Sequence, residues 1–295
     1  MVRVGQHIHI SVPATSANLG PGFDTLGVAL DWCNNFDFII EQQGVHIEGC
    51  DSRFCNTDNL TYRSFCRAAE YIGMKFSGLR IIHDCTIPVA RGLGSSATCI
   101  VAGVTAAMRF AGKRENVQTI LDIATSIEGH PDNIAPAVCG GWCVSKLIDN
   151  HVHVLPIQVK NNYNMLALIP PFTLSTEQAR RVLPKKVSMA DAVSNIANVS
   201  WLIAALSNGA DNVLSHGFND NLHQPYRSTL IEGYDSIMSV LQSHKSVLGA
   251  YLSGAGPTIM AITPPVTDIT DLVNTISSQH PQWKLKCLSP LHKTN

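Results

Sequence analysis

Pro88-Val-Ala-Arg-Gly92-Leu-Gly94-Ser95-Ser96-Ala97 is the stretch on which the reading of this chain turns. Ahead of it, Leu79 to Ile87 reads as a strand with Ile81 and Ile82 inside it. Behind it, Ala97 to Ala111 is an Ala/Val-rich helix pattern. Strand, glycine turn and helix in that order make an anion cradle: glycines let backbone N–H groups approach a ligand closely, and the helix start adds unpaired donors and a positive dipole end. Ser95 and Ser96 add hydroxyls, one of which could reach a metal ion on a phosphate. The same residues also fit an ordinary turn with a serine N-cap. No Gly-x-x-x-x-Gly-Lys-Ser/Thr occurs, so this is not a Walker loop. No Gly-x-Gly-x-x-Gly dinucleotide fingerprint occurs either.

Working outward, period-two alternation makes a half-buried strand of His7 to Val12. Phe36 to Ile40 and Val45 to Ile47 read as strands around a turn at Gln42-Gln43-Gly44, and Asn59 to Ile72 as a helix started near Asp58 and stopped by Gly73. Asn116 to Ile127 carries Val117, Ile120, Leu121, Ala124 and Ile127 on one helical face and delivers Glu128 at its end. Trp142 to Leu147 and Val152 to Val159 are strand-like, and polar residues between Val159 and Asn164 suit a domain boundary. The second half reads as a strand at Met165 to Ile169, helices at Met189 to Leu206, Gly209 to His216 and Arg227 to Gln242, and strands at Gly249 to Leu252 and Thr258 to Thr263 flanking Ser253-Gly254-Ala255-Gly256-Pro257. A helix at Asp268 to Ser278 and a strand at Lys284 to Leu288 follow. Helices and strands mixed in both halves imply an α+β fold. No repeat or low-complexity segment is visible.

At 295 residues, with roughly 150 per domain, about two domains are expected. Twenty-one Lys and Arg against 22 Asp and Glu argue against a broad phosphate-backbone-binding face, while leaving room for a small anionic ligand. Neither an apolar leader nor a run of ~18 apolar residues is present, so no signal peptide or membrane association is expected. The 9 cysteines are odd in number, scattered and free of Cys-x-x-Cys pairs. They read as reduced thiols of a cytoplasmic protein.

Four blocks then fall into one pattern. Pro88 to Ala97 resembles the phosphate loop of the GHMP kinases. Pro13-Ala-Thr-Ser-Ala-Asn18-Leu-Gly-Pro-Gly-Phe-Asp24 is similar to the N-terminal motif of the homoserine kinase branch, and Glu128-Gly-His130-Pro-Asp132-Asn133 followed by Ala135-Pro-Ala to its third block. Ser253-Gly254-Ala255-Gly256-Pro257-Thr258 resembles the family's C-terminal glycine motif. The resemblance spans residues 13 to 258. It implies a two-domain GHMP kinase fold, with an N-terminal ribosomal-protein-S5-like, nucleotide-binding domain over 1–160 and a C-terminal ferredoxin-like α/β sandwich on the substrate side over 161–295. It further implies ATP and Mg2+ as cofactors, L-homoserine as acceptor, O-phospho-L-homoserine for threonine biosynthesis as product, and a homodimer.

Residue by residue, the resemblance assigns ATP to Pro88, Val89, Ala90, Arg91, Gly92, Leu93, Gly94, Ser95, Ser96, Ala97 and Thr98, with Asn59, Leu60 and Tyr62 near the base. It assigns the metal to Ser96 and Glu128. A carboxylate at a helix C-terminus sits at the unfavourable end of the dipole, which independently suggests a function for Glu128. Asn18 and Asp24 are either Asx-turn formers or the contacts for the hydroxyl end and the ammonium of an amino-acid substrate; the resemblance favours the contacts. His130, Asp132 and Asn133 pose the same choice, with His130 and Asn133 favoured as contacts. Thr176, Arg180, Arg227 and Gly254 match substrate-side positions, where an arginine binds a carboxylate bidentately. Taken alone, Arg180 and Arg227 fit solvated surface charges, and Arg91 could equally be exposed.

Asn133 cannot act as a base near neutral pH, and the first block has no lysine. The expectation is therefore in-line transfer without a side-chain base, with positioning and charge neutralisation as the main contributions. His130 is the one titratable alternative. Two other readings stay open on the sequence: another GHMP small-molecule kinase of the mevalonate type, and a non-catalytic metabolite sensor on the same fold. An RNA-binding protein of related topology is disfavoured by the neutral charge.

Overall fold

The computed structural model describes residues 2–112 and 116–292. The expected domain limits at residues 1 and 295 lie outside the described residues. The first sheet is built on β2 (Leu26–Glu41), a strand ten residues longer at its start than alternation alone suggested. It is long because three strands share it. β1 (His7–Ala17) runs antiparallel along it from His7↔Ile39 to Ala17↔Gly27, with a register shift between Pro13 and Thr15. β4 (Gly78–Asp84) pairs with its second half and β5 (Trp142–Ile148) with its start. β3 (Gly44–Glu48) does not fold back on β2 but lies parallel to β4, and β6 (His151–Pro156) closes the other edge against β5.

Alternation along β2 puts Phe36, Phe38 and Ile40 on one face, where Leu79 and Ile81 of β4 join them. Helices α1 (Leu60–Tyr71), α2 (Ser95–Phe110) and α3 (Val117–Glu128) cover that face. The cap of α1 is Asn59, not Asp58: its side chain accepts from the N–H groups of Thr61 and Tyr62. Twelve of the sixteen residues of α2 are buried, which explains its run of small apolar residues. Asn34 seats its entrance. This wholly buried side chain accepts from the N–H groups of Thr86 and Ile87 and donates to the Thr98 hydroxyl, sparing donors that would each cost about 1–3 kcal/mol if buried unpaired. A short helix that alternation did not reveal, α4 (Ile134–Cys139), follows the third block.

The second sheet is wholly antiparallel, with β7 (Asn164–Ile169), β8 (Gly249–Leu252), β9 (Ile259–Thr263) and β10 (Lys284–Leu288) in the order β10-β7-β9-β8. Helices intervene between β7 and β8 and between β9 and β10, so strand order and connections are those of a ferredoxin-like sandwich. α5 (Thr176–Arg181) is closed by a Ser175–Gln178 capping box, and α6 (Met189–Asn208) ends at left-handed Gly209. α6 is the one helix among the described residues long and apolar enough to cross a membrane by length and composition. It packs instead through Leu202, Ala205 and Leu206 into the core.

Two expected helices differ. Asp211–Phe218 is a 3-10 segment: the Asp211 carboxylate takes hydrogen bonds from Asn161 and Tyr163, while Trp201 Nε1 donates to the Val213 carbonyl. The stretch from Arg227 to Gln242 is broken into α7 (Gln224–Arg227), a 3-10 turn Ser228–Leu230 and α8 (Tyr234–Ser243), with Gly233 left-handed at the restart. α9 (Thr270–Gln279) completes the layer.

The sheets share one core. Ala14, Leu19, Leu26, Val28 and Leu30 from the first half pack with Met165, Ala167, Leu202, Tyr251 and Met260 from the second. The chain end also crosses back: Leu30 bridges Pro290, and Leu291 N–H donates to the Ala29 carbonyl.

Candidate active site

A cleft of about 410 Å³ opens between the two sheets, within the size range of small-molecule sites. Its floor is the glycine turn and the start of α2. Ser95 and Ser96 lie inside the first turn of the helix, and the residue ahead of them, Gly94, is left-handed and offers no side-chain cap. The N-cap alternative is thereby removed, since Ser95 Oγ instead donates toward the Ile87 carbonyl at 3.4 Å. Among the described residues no side chain caps the first amides of α2, the arrangement that favours an anion.

The glycines are required by packing as much as by any ligand. A Cβ at Gly92 would sit 2.3 Å from the Ser253 carbonyl, and one at Gly94 would sit 2.0 Å from Thr15 Oγ1. Ser253 Oγ donates to the Gly92 carbonyl at 2.6 Å and shares a 2.7 Å hydrogen bond with Ser16 Oγ, which also meets the Tyr251 hydroxyl at 2.9 Å. This buried seam clamps the first glycine turn to the second.

Val89 to Ser96 line the cleft. Pro88, Ala97 and Thr98, also expected at the nucleotide, are not among its lining residues: Ala97 and Thr98 are wholly buried, and the Thr98 hydroxyl is spent on Ser95 O and Asn34. Arg91 lines the cleft, but its guanidinium is directed to the carbonyls of Pro170 and Pro171 at 3.0 and 2.7 Å, bracing β7's end against the loop.

Where the start of α2 meets the end of α3, Ser96 Oγ donates to Glu128 Oε2 at 3.1 Å. Burial raises the Glu128 carboxyl above its ordinary value, with only part offset by His130 and the Ser96 hydroxyl. A desolvated carboxylate beside a hydroxyl, both hard oxygen donors, fits a magnesium ion.

The opposite end is built for charge. Asp24 and Arg180 form a bidentate pair, at 2.7 and 3.1 Å, each side chain about a third exposed. Arg227 is buried, donates to the carbonyls of Ala179 and Gly254, and stands 5.1 Å above the Phe23 ring. Burial, together with Arg180, lowers its pKa to about 10. Asn18 is occupied at both ends: Nδ2 donates to Gly254 O at 2.8 Å and Oδ1 accepts from Asp24 N–H at 2.9 Å. It thus fixes the Asp24 loop. Thr176 and Gly254 line the same end. Asn133 presents its amide there, with Oδ1 held at 2.7 Å by the Thr15 hydroxyl.

His130 Nδ1 lies 2.6 Å from Asp132 Oδ1, which also accepts the Asn133 N–H. Burial works against a charged His130 ring. The Asp132 hydrogen bond and charge, aided by Glu128 and Asp24, outweigh it and raise the pKa.

Another part of the cleft wall is largely apolar: Phe54, Leu60, His83, Val89 and the thiols Cys50, Cys85 and Cys99 line it. Asn59 is present as the cap of α1, and Tyr62 enters through its N–H to Asn59 rather than as a lining residue. Burial lowers His83 to about 4, and its Nε2 is without a partner among the described residues. Sequence reasoning missed several supports. Thr15 and Ser16 sat inside the quoted first block. His223, whose Nε2 donates to the Gly20 carbonyl at 2.8 Å while its ring stacks on Phe23, carried no local signal.

Residues 59–141 match the GHMP kinases N terminal domain and residues 196–281 the GHMP kinases C terminal. A homoserine kinase of Clostridium beijerinckii is 44% identical over 257 residues, 86% of this chain and 86% of its own length. The chain belongs to the GHMP kinase family. A homoserine kinase of Clostridium botulinum is 45% identical to this GHMP kinase over 255 residues, again 86% of each. The crystal structure of homoserine kinase from Cytophaga hutchinsonii matches with a TM-score of 0.87 at 27% identity, covering 100% of this chain and 98% of the other. L. major mevalonate kinase in complex with R-mevalonate matches at 0.76 with 14% identity and 100% coverage of both chains, a likeness of fold alone. This GHMP kinase is therefore an enzyme with the family's two-domain fold, and neither the metabolite-sensor nor the RNA-binding reading stands.

Because the folded His130 pKa is raised, its pairing with Asp132 stabilises the fold fully below the unfolded value near 6.5. That contribution is lost as pH rises through the folded value. NMR titration should place the His130 ring above 6.5, and Asp132→Asn should bring it to or below that value. An unchanged ring pKa in the variant would show that Asp132 is not the cause.

Proposed function

We propose that this enzyme transfers the γ-phosphoryl group of ATP to the side-chain hydroxyl of L-homoserine, giving O-phospho-L-homoserine for threonine biosynthesis. One observation carries the reading: the Asp24–Arg180 pair faces, across one cleft, the uncapped start of α2. A carboxylate and a guanidinium that neutralise each other suit a ligand bearing both an ammonium and a carboxylate. An ion pair exposed to this degree contributes only about 0–1 kcal/mol, so a zwitterion can replace it at little cost. Mevalonate has a carboxylate and no ammonium, and would leave Asp24 unpaired.

Residues 1–160 hold the nucleotide and residues 161–295 complete the acceptor side in this reading. The Gly92–Ser96 amides take the phosphates, and Arg227 and Arg180 the acceptor carboxylate. Asn133, its carbonyl held by Thr15, turns its NH2 to the acceptor hydroxyl. Ser96 and Glu128 would hold Mg2+, which would supply neutralisation of phosphate charge. The hydroxyl attacks in line without a side-chain base: Asn133 cannot accept the proton, and His130 is engaged through Nδ1 with Asp132. The proton passes to a phosphate oxygen or to solvent.

Offered L-homoserine, mevalonate and galactose with ATP and magnesium, the enzyme should turn over L-homoserine at least about 100-fold faster than either alternative, measured as kcat/KM. Glu128→Gln should lower kcat by about 100-fold or more, and Asp24→Asn should chiefly raise the KM for the amino acid. Preference for mevalonate would overturn the substrate assignment.

Homodimer formation in the cytoplasm completes the proposal. Met189, Val193 and Ile196 form an exposed apolar stripe along α6, and nine scattered cysteines without a Cys-x-x-Cys pair suit a reducing compartment. Sedimentation should show a dimer that Ile196→Glu shifts to monomer, whereas a monomeric parent protein would refute it.

A further inference from the structure

Beside the apolar part of the cleft wall lies a thiol pair that phosphoryl transfer does not use. Cys50 Sγ and Cys55 Sγ are 3.7 Å apart. Cys55 is exposed, and Cys50 lines the cleft. The residues between them are Asp51 and the 3-10 turn Ser52–Phe54, whose Phe54 also lines the cleft. Asn59, the cap of α1, donates through Nδ2 to the Phe54 carbonyl at 3.0 Å, so this turn is tied directly to that part of the wall.

We propose that Cys50 and Cys55 are an oxidative modification site, a dithiol that a peroxide converts to a disulfide and that thereby weakens nucleotide binding. The site takes a small peroxide as its oxidant. The Cys55 thiol loses its proton and the thiolate attacks one oxygen of hydrogen peroxide; the O–O bond breaks to give Cys55 sulfenic acid and hydroxide, which takes up that proton as one water. The Cys50 sulfur then attacks the Cys55 sulfur, the S–O bond breaks, and the hydroxyl leaves with the Cys50 proton as a second water. Two electrons pass from the thiols to the peroxide, and a dithiol reductant reverses the change.

Exposure selects Cys55 for the first step. Burial, reinforced by the hydrogen bond with Cys55, pushes the Cys50 thiol up to about 12, which leaves Cys50 slow to react with peroxide by itself. A disulfide needs its sulfurs at about 2.05 Å, so the pair must close by roughly 1.6 Å. The turn carrying Phe54 joins the two cysteines, so the bridge constrains it. Cys85 and Cys99 also line the cleft and are the competing partners for Cys50.

This inference rests on the reading of the cleft as the nucleotide site, and the experiment separates the two. ATP binding is first measured by calorimetry on fully reduced protein; failure to bind would sink the nucleotide reading. Reduced protein that binds ATP is then treated with hydrogen peroxide, digested and mapped by mass spectrometry. The expected result is a Cys50–Cys55 disulfide that forms several-fold more slowly with ATP bound, is absent in Cys55→Ser, and raises the KM for ATP about 3–10-fold with kcat within twofold. Dithiothreitol should restore the KM, and Cys55→Ser should keep parental activity before and after peroxide. A disulfide that joins Cys50 to Cys85 or Cys99, a pair that stays reduced while other cysteines oxidise, or an unchanged KM in the bridged protein would each overturn it.

Discussion

The hydrogen bond from the Ser253 hydroxyl to the Gly92 carbonyl, backed by Ser16 and Tyr251, is the contact on which the cleft depends. Gly92 belongs to the phosphate loop and Ser253 to the turn between β8 and β9, 161 positions later. The backbone bond from the Thr258 N–H to the Arg91 carbonyl at 3.3 Å joins the same two turns. Gly92 has no Cβ because the Ser253 backbone fills that space, and Gly94 has none because Thr15 does. The same Thr15 holds Asn133, so the loop, the first block and the third block are set by one set of short contacts. Most of these groups are buried, where an unmade partner is costly and geometry is correspondingly well defined.

Charge is arranged along the cleft in a consistent order. The uncapped start of α2 is electropositive, and Glu128 follows with its carboxyl raised by burial. Next come the His130–Asp132 pair and then Asp24 with Arg180. Arg227 lies beneath, kept from water by Phe23 and by the carbonyls of Ala179 and Gly254. Negative phosphates fit one end and paired opposite charges fit the other. In a phosphoryl transfer with a loose transition state, such fixed charge and position can supply most of what catalysis needs.

What the sequence made legible was local. The glycine turn, the end of α3 that carries Glu128, and the positions of the strands in the second half all follow from short-range patterns. The supports did not, because they join residues far apart: Thr15 to Asn133 across 118 positions, Ser16 to Ser253 across 237. No period or motif announces such a partner. Where local reading failed, nonlocal contacts had decided. The stretch after Arg227 scans as one helix, yet the Arg227 guanidinium is drawn into the cleft and Gly233 restarts the chain in a left-handed conformation. The long β2 shows the same effect in reverse, since pairing with three neighbours extended it well beyond its apolar alternation. Asn18 and Arg91, expected as ligand contacts, line the cleft and also brace its walls: Asn18 joins the Gly254 carbonyl to the Asp24 N–H, and Arg91 donates to the carbonyls of Pro170 and Pro171.

A crystal structure of the enzyme with a non-hydrolysable ATP analogue, magnesium and L-homoserine tests the account most directly. It should place the analogue's phosphates within hydrogen-bond reach of the Gly92–Ser96 amides and the ion between Ser96 and Glu128. The amino acid should have parted Asp24 from Arg180. Phosphates bound away from the start of α2, with the Asp24–Arg180 pair intact beside a bound acceptor, would contradict it.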